Sequence, residues 1–168
     1  LDIEEDIYFE IIRQKTASLI ASCCACGASS TGASNETVNT LHRFGEAIGI
    51  AFQIKDDLFD YGPDGIIGKP TGIDIKESKM TLPLIHALSK ASQGERKRIV
   101  GLVRSGKAAK ESLREVLSFV EAAGGTTYAR KKAEEYSKAA QTALQILPES
   151  PARTALEEFA RFVIEREK

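Results

Sequence analysis

Residues 45–60 read Gly45-Glu46-Ala47-Ile48-Gly49-Ile50-Ala51-Phe52-Gln53-Ile54-Lys55-Asp56-Asp57-Leu58-Phe59-Asp60, an apolar run that ends in three carboxylates. Ile48, Ala51, Phe52, Ile54 and Leu58 recur at helical spacing, so the run predicts a helix. Ser34 is placed to cap its start and Gly62-Pro63 to stop it, which sets the helix over roughly 35–60. Asp56 and Asp60, four apart, project from one face with Asp57 beside them. Three carboxylates within about one turn repel each other, and at a helix C-terminus they also oppose the macrodipole. A cation removes that cost, and carboxylate oxygens suit a hard divalent ion that keeps substrate phosphates and water in its shell. The competing reading, a solvated acidic helix end, is weakened by the apolar flanks, Ile48 to Ile54 on one side and Leu58-Phe59 on the other.

Working outward, Gln53 shares the carboxylate face, and Gly45 and Gly49 extend that stripe back by two turns. Glycine in a helix interior costs about 1 kcal/mol relative to alanine, so these two need a reason. Close approach of a neighbouring helix or room for a bulky apolar substrate would each supply one. Downstream, Gly68-Lys69 and Lys79 bracket a segment rich in glycine and proline. Either lysine is a solvated surface group or a compact charge for a phosphate. Upstream, Lys15-Thr16 sits mid-helix among apolar residues. Taken alone, that pair reads as a snorkelling lysine and a threonine bonded to its own helix.

The rest of the chain is helical by the same periodicity. A first helix is expected over 4–26, stopping at Gly27, with a loop to Ser34. Thr81 is expected to cap a short helix ending near Ser89. Ser92 with Glu95 forms a capping box for a helix to about Val103. Further helices are expected over about 108–123, from Thr127 to about Ile146, and from Ser150-Pro151 to the end, with proline at the first helical position. β-Branched alternation is nearly absent, and the fold class is all-α, a helical bundle.

Composition narrows the partners. A formal charge of −1 over 168 residues creates no field that recruits nucleic acid or an anionic membrane. No apolar run approaches the roughly 20 residues that span a bilayer, so no stable membrane insertion is expected. Cys23, Cys24 and Cys26 are expected to be small, buried, reduced thiols packing a helix, consistent with a cytoplasmic location. The chain opens at Leu1 with residues that already read as helical, giving the expectation that it is an inner part of a larger protein.

The ordered set Lys15-Thr16, Phe52-Gln53-Ile54-Lys55-Asp56-Asp57-Leu58-Phe59-Asp60, Gly68-Lys69-Pro70-Thr71-Gly72-Ile73-Asp74 and Lys79-Met80-Thr81-Leu82-Pro83 resembles the trans-prenyl diphosphate synthase family. The likeness covers about residues 8–88; the later helices carry no diagnostic motif. The resemblance implies an all-α prenyl synthase bundle, with residues 1–168 as the C-terminal portion of a single domain. It implies a homodimer that joins isopentenyl diphosphate to an allylic diphosphate in the trans configuration with Mg2+. By the same likeness, Asp56, Asp57 and Asp60 hold magnesium on the allylic diphosphate, with Asp74 in its outer shell. Lys15, Lys69 and Lys79 face that diphosphate, and Thr16 and Gln53 lie near the reacting carbon. Ala51-Phe52-Gln53-Ile54-Lys55-Asp56-Asp57 with Thr81-Leu82-Pro83-Leu84-Ile85-His86 is most similar to bacterial medium- and long-chain synthases of quinone side chains. The family's first aspartate-rich motif and its isopentenyl diphosphate residues are not in this sequence, so the 168 residues alone are expected to be inactive. A non-catalytic partner subunit of a heteromeric synthase is the alternative; such subunits tend to lose the aspartates that this chain keeps.

Overall fold

The computed structural model describes residues 4–62, 72–105 and 110–167, and among them only helices, turns and bends occur. In chain order they are α1 (Glu5–Ile12), a π turn (Arg13–Ala17), α2 (Ser18–Ser30), α3 (Asn35–Phe59), α4 (Ile73–Lys76), α5 (Leu82–Lys90), α6 (Gln93–Arg104), α7 (Lys110–Ala122), α8 (Gly125–Ala143) running into a 3-10 turn (Leu144–Ile146), and α9 (Pro151–Glu165). The all-α expectation holds.

Local chemistry sets most boundaries. The hydroxyls of Ser34, Ser92 and Ser150 accept the main-chain N–H of Thr37, Glu95 and Arg153 at 3.2, 3.3 and 3.2 Å, three caps at the expected spacing. Three expectations fail. Thr81 stands at the N-cap of α5 but makes no side-chain cap; its hydroxyl instead pairs with that of Tyr61 at 2.6 Å. The first helical region passes through Gly27 to Ser30, because nothing at Gly27 demands a turn and Gly32, at φ 73°, makes it instead. α8 starts at Gly125, two residues before Thr127.

The chain forms two compact units, one of Leu1–Tyr8, Asp56–Lys131 and Glu167–Lys168, the other of Phe9–Lys55 and Lys132–Arg166. In the first, α7 packs on α5 and α6 and buries Leu82, Leu84, Ile99, Val116 and Val120. In the second, Phe44, Ile48 and Ala51 of α3 form a core with Ala140, Leu144, Ala160 and Val163. Buried Ser137 donates to the Ala160 carbonyl at 2.7 Å, tying α8 to α9. Cys23 and Cys26 are exposed and Cys24 is half-buried, all as free thiols, which corrects the expectation of three buried ones. Cys23 and Cys26 lie on the exposed side of α2 with Leu19, whereas Cys24 packs against the core of Phe44, Ile48 and Ala51. Among the described residues no helix is long and apolar enough to cross a membrane.

Candidate active site

The end of α3 separates the three carboxylates into different environments. α3 closes at Phe59, tightened by main-chain bonds from Asp60 to Asp57 and from Tyr61 to Leu58. Asp56 remains exposed. Asp57 is only 6% exposed, and its Oδ2 accepts the hydroxyl of Tyr8 at 2.8 Å. Asp60, 8% exposed, uses both oxygens on the returning chain: Oδ1 accepts the Ile73 N–H at 2.7 Å and Oδ2 that of Asp74 at 3.0 Å. Its own carbonyl takes the Gly72 N–H at 3.0 Å. Gly72 sits at φ 80°, where a side chain is strained. Asp60 therefore folds the main chain back so that Asp74 follows directly beside it.

Burial, reinforced by the charge of Asp74, raises the pKa of Asp60, while amide donors pull the other way. Burial and the negative charge of Asp57 push the Tyr8 hydroxyl far above an ordinary phenol, which keeps it a proton donor. A carboxylate has about four lone-pair sites, so the three main-chain donors to Asp60, from Ile73, Asp74 and Ile75, leave room for a further ligand. Among the described residues no group of three or more His, Cys, Asp or Glu side chains is placed to hold a metal ion by itself. Asp57 and Asp60 offer oxygen donors of the kind that suits magnesium, which binds through one or two carboxylates and completes its shell with water and substrate phosphate.

α4 presents the next pair. Its C-terminus carries the two bonds of a Schellman motif, Lys79 N–H to the Asp74 carbonyl at 2.8 Å and Ser78 N–H to that of Ile75 at 3.0 Å. Ser78 takes the left-handed position usually given to glycine, at φ 57°, and its hydroxyl is anchored on the Val103 carbonyl at 2.8 Å. Lys79 follows, exposed, its Nζ 2.7 Å from Glu77 and 2.9 Å from Asp74. Those two hydrogen-bonded carboxylates raise its pKa, so it is a cation at any working pH. Lys69 lies outside the described residues.

Lys15 and Thr16 belong to the π turn, an irregularity that sequence periodicity does not reveal. The Ser18 N–H reaches the Arg13 carbonyl, the five-residue bond that defines the turn. Thr16 does not bond its own helix as its sequence context alone implied; its hydroxyl donates to Gln53 Oε1 of α3 at 3.0 Å. Lys15 is exposed. The glycine stripe explains this approach. A Cβ on Gly45 would stand 2.7 Å from Ala21 Cα, and one on Gly49 2.7 Å from Ala17 Cβ and closer still to its Cα. Close helix packing is thus the reason for both glycines. Single-turn π segments of this kind are frequent at functional sites.

Tyr8 is the residue that sequence reading missed. Its only signal was its place seven residues before Lys15, which by itself reads as one more ring on an apolar helix face.

What stands here is an α-helical protein with an acidic, oxygen-donor site where a long helix ends, and a threonine–glutamine pair on that same helix's flank. The chain belongs to the polyprenyl synthetase family, whose model matches residues 1–120. It is 41% identical over 99% of its length to the short chain isoprenyl diphosphate synthase of Methanothermobacter thermautotrophicus, and covers 51% of that protein. It is 36% identical, again over 99% of its length, to the octaprenyl diphosphate synthase of Escherichia coli, covering 52% of it. Among solved structures, the decaprenyl diphosphate synthase from Rhodobacter capsulatus superimposes with a TM-score of 0.91 at 36% identity over 99% of this chain and 52% of that one. The polyprenyl synthase from Caulobacter crescentus, complexed with calcium and isoprenyl diphosphate, gives 0.88 at 32% identity over 99% of this chain and 51% of that one. The chain thus spans about half the length of the curated relatives it matches.

Proposed function

We propose that this chain forms one part of the active site of a trans-prenyltransferase, which condenses isopentenyl diphosphate with an allylic diphosphate into a longer all-trans polyprenyl diphosphate. The observation that carries this reading is the pair Asp57 and Asp60, nearly buried yet each oriented by hydrogen-bond donors, with Asp74 bonded to Asp60 through its main chain. Buried carboxylates are costly to keep ionised, and a site for a cation and its phosphate ligands gives that cost a purpose. The activity belongs to a protein of the relatives' length, in which residues 1–168 make up the C-terminal portion of a single synthase domain. That protein is read as a cytoplasmic homodimer whose product is of quinone side-chain length.

In this reading Asp56, Asp57 and Asp60 hold Mg2+, and Asp74 supports its water shell. Bound there, magnesium supplies positive charge against the leaving diphosphate. Lys15, Lys69 and Lys79 add point charges to the same anion. Lys79 would exchange its carboxylate partners, Asp74 and Glu77, for phosphate oxygens. As the C–O bond breaks, an allylic cation develops, and the hydrogen-bonded Thr16–Gln53 pair meets it with neutral dipoles. Fixed charges and dipoles aimed at developing charge are worth about 10²–10³ in rate for each donor.

The test is transfer of radiolabelled isopentenyl diphosphate into butanol-extractable product by the full-length protein, with Mg2+ and allylic primers of several lengths. Label in an extractable product is expected, with the 168-residue chain alone inactive. No incorporation with any primer would overturn the reading. In the same assay Asp56→Ala is expected to lower turnover by about 10²–10³. Wild-type turnover of that variant at limiting magnesium would remove the carboxylates from the site.

A further inference from the structure

We propose that Tyr8 is a positioning residue for this reaction, its buried hydroxyl holding the Asp57 carboxylate in the orientation that meets the cation and diphosphate. The proposal rests on the function argued above. Tyr8 is 4% exposed and Asp57 6%, and their bond joins Oη to Oδ2 at 2.8 Å across 49 residues of sequence. A bond from a neutral O–H to an ionised carboxylate is charge-assisted and stronger than a neutral one.

The ring is enclosed by its burial, and α1 is itself fastened one turn earlier. Glu5 Oε1 accepts the Tyr128 hydroxyl at 2.6 Å, and the Tyr128 ring stacks on His86 with centroids 3.8 Å apart. Asp57 has two side-chain torsions, and a rigid donor on one oxygen sets the carboxylate plane, which decides where the second oxygen points. Neighbouring Asp56 is exposed, so of the two adjacent carboxylates the structure sets Asp57 against a buried ring. Hydrogen-bonding partners behind a carboxylate ligand typically govern metal affinity or activity by about 10–100-fold.

The experiment uses the full-length enzyme and Tyr8→Phe, which keeps the ring and removes one hydroxyl. Magnesium is titrated calorimetrically in the presence of inorganic pyrophosphate, and the magnesium concentration for half-maximal turnover is measured alongside. Expected are a loss of about 10–100-fold in magnesium affinity and a matching rise in that concentration. The KM for isopentenyl diphosphate should stay unchanged. In an Asp57→Asn background, Tyr8→Phe should cause no further loss, and this comparison does not depend on the single variant's folding yield. A purely structural tyrosine would lower the melting temperature and leave magnesium affinity alone, which would overturn the proposal. Wild-type behaviour of Asp57→Ala would instead overturn the function itself. An impaired Asp57→Ala beside an unaffected Tyr8→Phe would refute only the role of Tyr8.

Discussion

Replacing Gly49 by alanine sets two effects of opposite sign against each other. In an open helix the exchange stabilises by about 1 kcal/mol. That gain is expected in full at Gly27, where an added Cβ meets nothing within 4 Å. At Gly49 the new Cβ would stand 2.7 Å from Ala17 Cβ and closer still to Ala17 Cα, whereas carbon atoms pack at about 3.5–4.0 Å. The nearest obstacle is main chain, so no change of rotamer relieves it, and α3 must move off the π turn by about 1 Å. A gap of that size forfeits roughly a quarter to a half of each dispersion contact along the seam. Overpacking costs about 1–3 kcal/mol, and the upper end applies here because Gly45 also packs main chain to main chain, against Ala21, one turn away. The net is a destabilisation of about 2 kcal/mol, the upper cost less the helical gain. For a chain of this size that is a fall of about 4–8 °C in melting temperature, against a rise of about 2–4 °C for Gly27→Ala. Thermal unfolding followed by circular dichroism reads both. Adding Ala17→Gly should recover only part of the loss, since it removes the Cβ contact and leaves the Cα. A Gly49→Ala protein as stable as the parent would refute the packing account of the glycine stripe.

Three further outcomes follow from the geometry of the first unit. Gly72→Ala forces a side chain into the left-handed region and against the Leu113 side chain; urea unfolding should show a loss of about 3 kcal/mol, and a change under about 1 kcal/mol would contradict the turn. His86 is held below its ordinary pKa by burial first and by the Lys90 charge second, so its neutral form is favoured in the fold. Its contribution is therefore complete above pH 6.5 and is lost as the pH falls through the lower folded value. His86→Phe, which keeps the stack on Tyr128, should flatten the fall in melting temperature on acidification below neutrality; an unchanged slope would exclude His86 as its source. Lys79→Ala removes exposed ion pairs worth about 0–1 kcal/mol and should barely shift stability, yet it should raise the KM for the allylic diphosphate. An unaltered KM would take Lys79 out of the diphosphate site.

Much of the fold was legible because helix signals are local. The apolar period, the Ser34, Ser92 and Ser150 caps and Pro151 act within a few residues, and the structure places those helices accordingly. Where local signals competed with distant partners, the reading failed. Thr81 has the backbone of an N-cap, but a hydroxyl offered Tyr61 across 20 residues takes that bond instead. Cys23 and Cys26 look apolar by composition, and only the packing of α2 decides that they face solvent.

The sequence by itself determined the helical class, the carboxylate run at 56–60 and the ordered motifs that carry the family likeness, because each depends on residue type and near spacing. Only the tertiary structure decided how the three aspartates differ. Asp56 is exposed, Asp57 is buried against Tyr8, and Asp60 is buried against the returning main chain at Ile73 and Asp74. It also decided that Lys15 and Thr16 lie in a π turn and that Thr16 bonds Gln53. The physical reason is the range of the interactions. Periodicity and caps are written within one or two turns of chain, whereas burial and a hydrogen bond spanning 49 residues exist only once the helices have packed.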